Sequence, residues 1–449
     1  MRTQTSLGFS FLLSMVMACD QGSSVQIILE GWPWDDSTKL TLSAFTDNMV
    51  SETRPIPNGR FKISVPSRDG TITVSLVDTD MAGCKIKYAS KNASLASNEP
   101  ITFKNADLRH LPRPRCACQN GWCIVPQGSM EVNYRTIIGS EQDVVIAGNQ
   151  KQRAIGVVAP VSEPKFSPDD LPLISSLWIE GKGDHRLWIV ARQTPSSIYV
   201  KNVREKFQKE HSVVPMQSYY DIDPIIEKVS GPSDGDNRLF IGRSSKTNKS
   251  IILNLGSQRE WFNSLSEFGD EISGKTLYGL WVQEGDQELW AVGDAGLVVN
   301  RRMGKYSIKD YTIGGNSQKI EKAFKTIWCS GWDSCWVAGD DGKIYSSEPG
   351  SSNAPKKLNF IVQCTQEGKE KIEKINAIWG TDAKHIWAVG GNGTIMAYDG
   401  TRWITSKQGD ADLNDVWGKD KNNIWIVGDS GTVLISDPTA VISGNPCNP

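Results

Sequence analysis

One unit recurs through the last two thirds of the chain. Its clearest copy runs Ile378-Trp379-Gly380-Thr381-Asp382-Ala383-Lys384-His385-Ile386-Trp387-Ala388-Val389-Gly390 and continues through Gly393-Thr394-Ile395-Met396-Ala397-Tyr398-Asp399-Gly400 to Trp403. Two short apolar runs rich in Trp, Ile and Val flank a polar loop, the pattern of a β-hairpin. A glycine turn, a third run over Thr394 to Tyr398, the Asp399-Gly400 pair and a fourth run bearing Trp403 complete four strands in up-and-down order. Both residue parities of Ile386-Trp387-Ala388-Val389 are apolar. Such a strand expects a neighbour on each face, whereas a one-sided surface sheet would alternate apolar with polar.

The same pattern returns at Trp417 to Gly428, Trp328 to Gly339 and Trp281 to Gly293, and more faintly at Val229 to Gly242, Trp178 to Ala191 and Ile138 to Gly148. From last to first, the starts of the copies lie 38, 51, 47, 52, 51 and 40 residues apart. Four-stranded units at a period of roughly 40–50 residues are the mark of a propeller blade. The expectation is an all-β chain with a seven-bladed β-propeller over residues 131–440 and a tail over 441–449. The last copy has only three clear strands, Val416-Trp417, Ile424 to Val427 and Thr432 to Ile435. Its open edge would expose unpaired backbone groups, so Glu131 to Arg135 is predicted to supply the missing outer strand and close the ring.

At the other end, Arg2 precedes an apolar stretch from Leu7 to Met17 that closes with Val16-Met17-Ala18-Cys19. It is shorter than the ~20 residues that cross a bilayer. This resembles a bacterial lipoprotein signal, which implies cleavage after residue 18, a lipid on Cys19 and a short tether over 19–24. Acyl chains buried at about 0.8 kcal/mol per methylene would anchor the chain without spanning the membrane. Asp20 resembles the inner-membrane retention signal of some enteric bacteria. An ordinary secretory signal with an incidental Cys19 is the alternative.

Nine cysteines less Cys19 leave eight, an even number suited to disulfides in an oxidising compartment. Where the copies at Trp379 and Trp417 carry Gly380 with Ile386 and Gly418 with Ile424, the copy at Trp328 carries Cys329 and Cys335. Two opposed strand positions have changed to Cys together, at a spacing a disulfide tolerates. Cys84, Cys116, Cys118, Cys123, Cys364 and Cys447 remain with open connectivity. Cys116, Cys118 and Cys123 lack the spacing of a zinc finger, which favours disulfides over metal.

Residues 25–109 change period. Short strand candidates at Val25 to Leu29, Lys39 to Phe45, Phe61 to Val65, Thr71 to Val77, Lys85 to Tyr88 and Ile101 to Phe103 are separated by turn signals such as Pro57-Asn58-Gly59 and Asp69-Gly70. They predict a small β-sandwich, loosely similar to the transthyretin-like and carboxypeptidase-regulatory sandwiches. Residues 110–130, with Pro112, Pro114, Pro126 and three cysteines, read as a stiff connector.

Tyr398-Asp399-Gly400-Thr401-Arg402-Trp403 resembles a degenerate Asp-box of sialidase-type and photosystem-assembly-type propellers, over roughly Gly279 to Ser436. That box is a structural turn and implies no activity. The arginine cluster and Tyr nucleophile of sialidases cannot be assigned here. The Trp-Gly and Trp-Ala-Val-Gly copies look most like propeller repeats of bacterial, often myxobacterial, lipoproteins.

Few residues point to chemistry. The turns Gly293-Asp294-Ala295-Gly296, Gly339-Asp340-Asp341-Gly342, Gly390-Gly391-Asn392-Gly393 and Gly428-Asp429-Ser430-Gly431 should gather on one propeller face. Asp294, Asp340, Asp341, Asn392 and Asp429 are therefore the binding-face candidates, although Asp and Asn beside Gly also suit tight hairpins for purely structural reasons. His110, His185, His211 and His385 show no metal spacing, and no cofactor motif stands out, so no metal or cofactor is expected. The charged runs Lys201 to His211, Lys319 to Lys325 and Glu367 to Lys374 read as solvated loops or short helices. Trp32-Pro33-Trp34 suits strand-end packing better than a sugar platform. With 49 basic against 51 acidic residues, nothing argues for nucleic acid. The pattern points to a non-enzymatic envelope lipoprotein, membrane-bound through Cys19, whose propeller face binds or scaffolds an envelope protein or glycan. A glycan-binding or glycan-cleaving propeller is the alternative.

Overall fold

The computed structural model describes most of residues 23–447, apart from residues 31–38, 80–84, 126–131, 203–222, 348–356, 365–372 and 438–444 and a number of shorter loops. Residues 1–22, which include the expected signal and Cys19, lie outside the described residues, as do Trp32, Trp34, Pro57 to Gly59 and Asp69-Gly70. Among the described residues the regular structure is all β apart from two three-residue 3-10 turns at Asp270–Ile272 and Asp294–Gly296, and no helix is long and apolar enough to cross a membrane.

The chain divides into two compact units. One comprises Met1–Ala117 with Asp437–Val441, the other Cys118–Ser436 with Ile442–Pro449. The first contains a three-stranded sheet in which Ser23–Glu30 runs antiparallel to Arg60–Val65 and parallel to Ile101–Lys104. A second sheet orders Met49–Pro55, Lys39–Thr46, Thr71–Thr79, Lys85–Ser94 and Arg109–Gln119. Val74, Ile101 and Phe103 are buried. Lys91 on the second sheet donates to the Thr102 carbonyl (2.7 Å) and pairs with Asp107 (2.7 Å), which depresses the Asp107 pKa through that hydrogen bond. The strand Met49–Pro55 had no sequence signal of its own: only Met49, Val50 and Pro55 in it are apolar.

The second unit is a series of seven sheets, each beginning at one copy of the repeat. Their first strands are Asn133–Gly139, Ile174–Glu180, Pro224–Ser230, Leu277–Val282, Phe324–Gly331, Ile375–Asp382 and Leu413–Gly418. Each pairs antiparallel with the strand that follows it, and a third strand continues the meander. Consecutive first strands pack side by side, and the first strand of the seventh sheet packs against that of the first. The second strands Leu289 to Val292, Trp336 to Ala338, Ile386 to Val389 and Ile424 to Val427 are buried at both parities, as their apolar pattern requires.

A cross-strand tryptophan pair marks five of the seven sheets. Trp178 stands opposite Trp188, Trp281 opposite Trp290, Trp328 opposite Trp336, Trp379 opposite Trp387, and Trp417 opposite Trp425. Where measured, the ring centroids of a pair lie 5.6–6.5 Å apart, in the range where aromatic pairs add about 0.5–1.5 kcal/mol beyond area burial. The first tryptophan also lies on a glycine of the next sheet. A Cβ on Gly380 would come within 2.8 Å of the Trp328 ring, one on Gly418 within 2.6 Å of Trp379, and one on Gly139 within 2.2 Å of Trp417. The last contact joins the seventh sheet to the first.

The ring closes through a different segment from the one the sequence suggested. Asn133–Gly139 is the inner strand of the first sheet, and the outer strand of the seventh is Trp122–Ile124, antiparallel to Leu434–Ser436. Residues 133–139 are committed to Asp143–Gln150 and so do not pair there. Trp122 packs into the core between the sixth and seventh sheets and Cys123 into that between the seventh and first. Within and beside the stretch read as a stiff connector, residues 109–119 and 122–124 form strands. The tail also contributes: Asn445–Cys447 pairs with Trp403–Thr405 as a fifth strand of the sixth sheet. Asp310–Ile313 adds in parallel to the outer strand of the fifth.

Cys329 and Cys335 stand opposite one another in the fifth sheet and are disulfide-bonded, buried against Trp281 and Trp290 of the fourth. The disulfide fills the place that glycine holds in the sixth and seventh sheets. Cys118 and Cys123 form a second bridge, which ties the middle residue of the closing strand to the strand before it. Cys84 lies outside the described residues, and so do the side chains of Cys116, Cys364 and Cys447.

Gly139→Val should drive Trp417 off its seat and destabilise the seam between the seventh and first sheets by about 1–3 kcal/mol, the usual cost of overpacking. Gly331→Ala, where an added Cβ would meet nothing within 4 Å, should be near neutral. Urea midpoints followed by tryptophan fluorescence would separate the two.

Candidate binding face

Every first strand carries a register shift within the first three pairs of its ladder with the second strand, just beyond the residue opposite Gly148, Ala191, Gly242, Gly293, Gly339, Gly390 or Gly428. The skipped residues are Arg135, Ser175, Glu227, Tyr278, Lys325, Asn376 and Asn414. Each is exposed or half-buried, whereas its neighbours along the strand are mostly buried. A bulge leaves one residue outside the ladder and re-aims its side chain. Seven bulges at one level therefore present seven side chains at one end of the packed inner strands.

The bulge also explains the glycine that ends the second strand. The kink brings a backbone carbonyl of the first strand, or of the residue before it, onto that Cα. A Cβ would lie 2.3 Å from the Asn133 oxygen at Gly148, 2.0 Å from Ile225 at Gly242, 2.1 Å from Thr276 at Gly293, 2.0 Å from Ala323 at Gly339, 2.0 Å from Lys374 at Gly390 and 2.4 Å from Asp412 at Gly428. The next backbone N–H then donates to the same carbonyl in the fourth to seventh sheets, as from Asp294 to Thr276 and from Asp340 to Ala323. The glycine-rich turns thus sit at the same end as the bulged side chains.

Around this end the side chains link sheet to sheet. Asn414 donates to the Tyr134 carbonyl and to Asp429 (both 2.7 Å), and Arg135 donates to Asn414 and faces Asp429 at 3.5 Å. Asn376 donates to the Leu413 carbonyl, and Ser175 to the Ile226 carbonyl. Between the fourth and fifth sheets the Lys325 ammonium lies 3.6 Å from the centre of the Tyr278 ring and 3.6 Å from Asp340. The Tyr278 hydroxyl donates to Asp294, which also accepts the Thr276 N–H. Burial first of all, then the charge of Asp294, pushes the Tyr278 pKa up, so it stays a neutral donor.

Below the bulges, the next residue of the strand stitches neighbouring sheets. Ser176 accepts the Val229 N–H, Thr326 accepts that of Ile378, and Asp415 accepts that of Ile137. Lys228 holds this position in the third sheet and reaches Asp415 of the seventh at 4.0 Å. Those sheets are not neighbours in the series, so the ion pair crosses the space that the inner strands enclose.

The five turn residues singled out from sequence divide by role. Asp340 and Asp429 belong to the ionic contacts above. Asp294 holds a backbone N–H and the Tyr278 hydroxyl. Asp341 is turned inward, accepting the Tyr345 hydroxyl (2.6 Å) and the Lys343 N–H; burial and that contact raise the Tyr345 pKa strongly. Asn392 takes a left-handed conformation (φ 51°), and its N–H donates to Asp412, which pairs with Lys374. Sequence reasoning missed the bulge residues, and Lys325 had been assigned to a solvated charged run. The available signal was a polar or aromatic residue three places before each first-strand tryptophan: Ser175, Tyr278, Lys325, Asn376 and Asn414.

The remaining candidates are structural or lie elsewhere. His385 is bonded to Asp382 through Nδ1 (2.9 Å) in the hairpin loop at the opposite end of the sixth sheet's first strand. His185 and His211 lie outside the described residues. In the Asp-box-like turn, Asp399 accepts from the Thr401 N–H, Thr401 hydroxyl and Arg402 N–H, while Gly400 supplies φ 93°. Burial of Asp399 acts to raise its pKa, but these hydrogen bonds outweigh it and the net pKa is lowered. A depressed carboxylate pKa contributes stability above its unfolded value, near 3.8, that is lost as the pH falls through the folded pKa. Asp399→Asn should therefore destabilise the protein at pH 7, and the deficit relative to wild type should shrink in unfolding curves below about pH 4.

No family model matches the chain, and no curated protein matches it. Solved structures do. The chain is similar to "YCF48 from Cyanidioschyzon merolae" with a TM-score of 0.53 at 14% identity, covering 71% of this chain and 99% of that one. It is similar to a structure of YCF48 bound to D1 peptide with a TM-score of 0.51 at 14% identity, covering 72% and 99%. The WD40 beta propeller domain of Doa1 matches with a TM-score of 0.50 at 10% identity, covering 70% and 96%. The chain contains a β-propeller. At these identities the likeness establishes the fold and nothing finer.

Proposed function

We propose that this is an exported, lipid-anchored, non-enzymatic protein with a small β-sandwich and a seven-bladed propeller. The propeller face carrying Arg135, Ser175, Glu227, Tyr278, Lys325, Asn376 and Asn414 binds or scaffolds another protein of the bacterial envelope. The observation that carries the reading is the bulge in every first strand. It turns out one side chain per sheet at the same end, so that seven side chains, several of them also linking neighbouring sheets, share one face. The propeller of YCF48 takes a peptide, which supports a polypeptide as the class of partner. The anchor rests on Val16-Met17-Ala18-Cys19, and the two described disulfides agree with an oxidising compartment.

Two measurements test this. Radiolabelled palmitate should be incorporated into the wild-type chain in cells and absent from Cys19→Ser; label retained in the variant would overturn the anchor. A photo-crosslinking residue at exposed Lys374, beside the bulges, should yield a discrete protein adduct in envelope extracts. The same residue at Lys384, in the loop at the other end of the strand, should not. Equal adducts from both positions, or recovery of carbohydrate alone, would overturn the binding face.

A further inference from the structure

The corner between the fourth and fifth sheets differs from the rest of the face. Elsewhere each cation answers a nearby carboxylate: Arg135 with Asp429, Lys374 with Asp412. Here the Tyr278 hydroxyl donates to the Asp294 carboxylate, and the Lys325 ammonium over its ring also faces Asp340. Two carboxylates thus border the ring and the Lys325 ammonium that lies over it. That ammonium does not simply lie against Asp340. It sits as close to the ring centre as to the carboxylate, 3.6 Å in each case. An aromatic face bordered by carboxylates is a cradle for a cation, since the ring quadrupole and the charges attract it together. The cradle already holds an ammonium, and that occupant rides on a flexible four-carbon stem.

We propose that the Tyr278 corner is a recognition site for a basic side chain, lysine or arginine, of a partner polypeptide, and that Lys325 fills it in the free protein as an internal placeholder. This rests on the binding face proposed above and names the partner's chemistry there. The partner's cation takes the ring and the Asp294–Asp340 field, and Lys325 swings to solvent. The corner thus favours a basic segment and resists an acidic one, because the Asp294 and Asp340 carboxylates meet whatever enters.

The placeholder makes an unusual demand: removing a basic residue should matter most here. Binding of a fluorescent hexalysine peptide to the detergent-solubilised full-length protein would be followed by anisotropy, with hexaglutamate as comparison. Lys325→Ala should tighten hexalysine binding by about five- to tenfold, the scale of one freed cation–π contact. Lys374→Ala removes the same charge from the same face but uncovers no ring, and should shift binding by less than about twofold, as a partly screened surface charge does. Adding Tyr278→Leu to Lys325→Ala should abolish the gain. Lys325→Gln repeats the test should the alanine variant show a lowered unfolding midpoint. Unchanged or weaker hexalysine binding in both Lys325 variants would overturn the proposal, as would an equal gain from Lys374→Ala or tighter binding of hexaglutamate. If the Lys374 crosslink to a partner persists in that event, the binding face stands and only the basic-segment assignment fails.

Discussion

The structure depends on tryptophan rings seated on glycine. Trp328 on Gly380, Trp379 on Gly418 and Trp417 on Gly139 repeat one contact from sheet to sheet. A flat ring of this size needs a flat floor, and only a residue without a Cβ leaves backbone as that floor. The contact sets the spacing between neighbouring sheets, and the cross-strand partner on the second strand holds the ring from behind. The seat is not chemically unique. In the fifth sheet the Cys329–Cys335 disulfide stands in its place and packs against the tryptophans of the fourth. A covalent cross-link across the strands supplies rigidity where the glycine floor is missing.

A different glycine serves the opposite end of six of the seven sheets, and Ala191 holds that place in the second. The bulge in the first strand and the glycine closing the second are two halves of one device, because the kinked strand pushes a carbonyl to within 2.0–2.4 Å of where a Cβ would stand. The Trp-Ala-Val-Gly signature is therefore legible as a packing rule: tryptophan secures the neighbouring sheet, and glycine makes room for the bulge. The bulge, in turn, frees a side chain from core duty. Placing such residues at the end of a rigid strand gives them fixed positions that a long loop would not.

Closing a series of sheets into a ring requires a strand from elsewhere in the chain. Trp122–Ile124 completes the seventh sheet, and Asn445–Cys447 covers the edge of the sixth. The closing strand is short, yet Trp122 and Cys123 each enter a different inter-sheet core, so three residues engage both seams of the seventh sheet. The Cys118–Cys123 bridge spans only five positions. A loop that short removes little unfolded-state entropy compared with a long one, and its role is to hold the entry to the closing strand.

Sequence alone determined the all-β class, the repeat and its period, the first two strands of the last four copies and the pairing of Cys329 with Cys335. Each of these is written in local periodicity or in a position compared across copies, and needs no knowledge of distant contacts. It also showed that the last copy lacked an outer strand. Which segment filled the gap was decided by tertiary structure, because strand pairing between residue 123 and residue 435 leaves no periodic trace in either segment. The candidate face followed the same division. The turn aspartates were visible as Asp-Gly signals, yet Asp341 and Asp294 proved to be partly occupied in holding Tyr345 and Tyr278. Lys325, Tyr278 and Asn414 were hidden, since one polar residue in an apolar strand reads as noise. Only the bulge, a matter of hydrogen-bond register between two strands, turns that residue outward and makes it part of a surface.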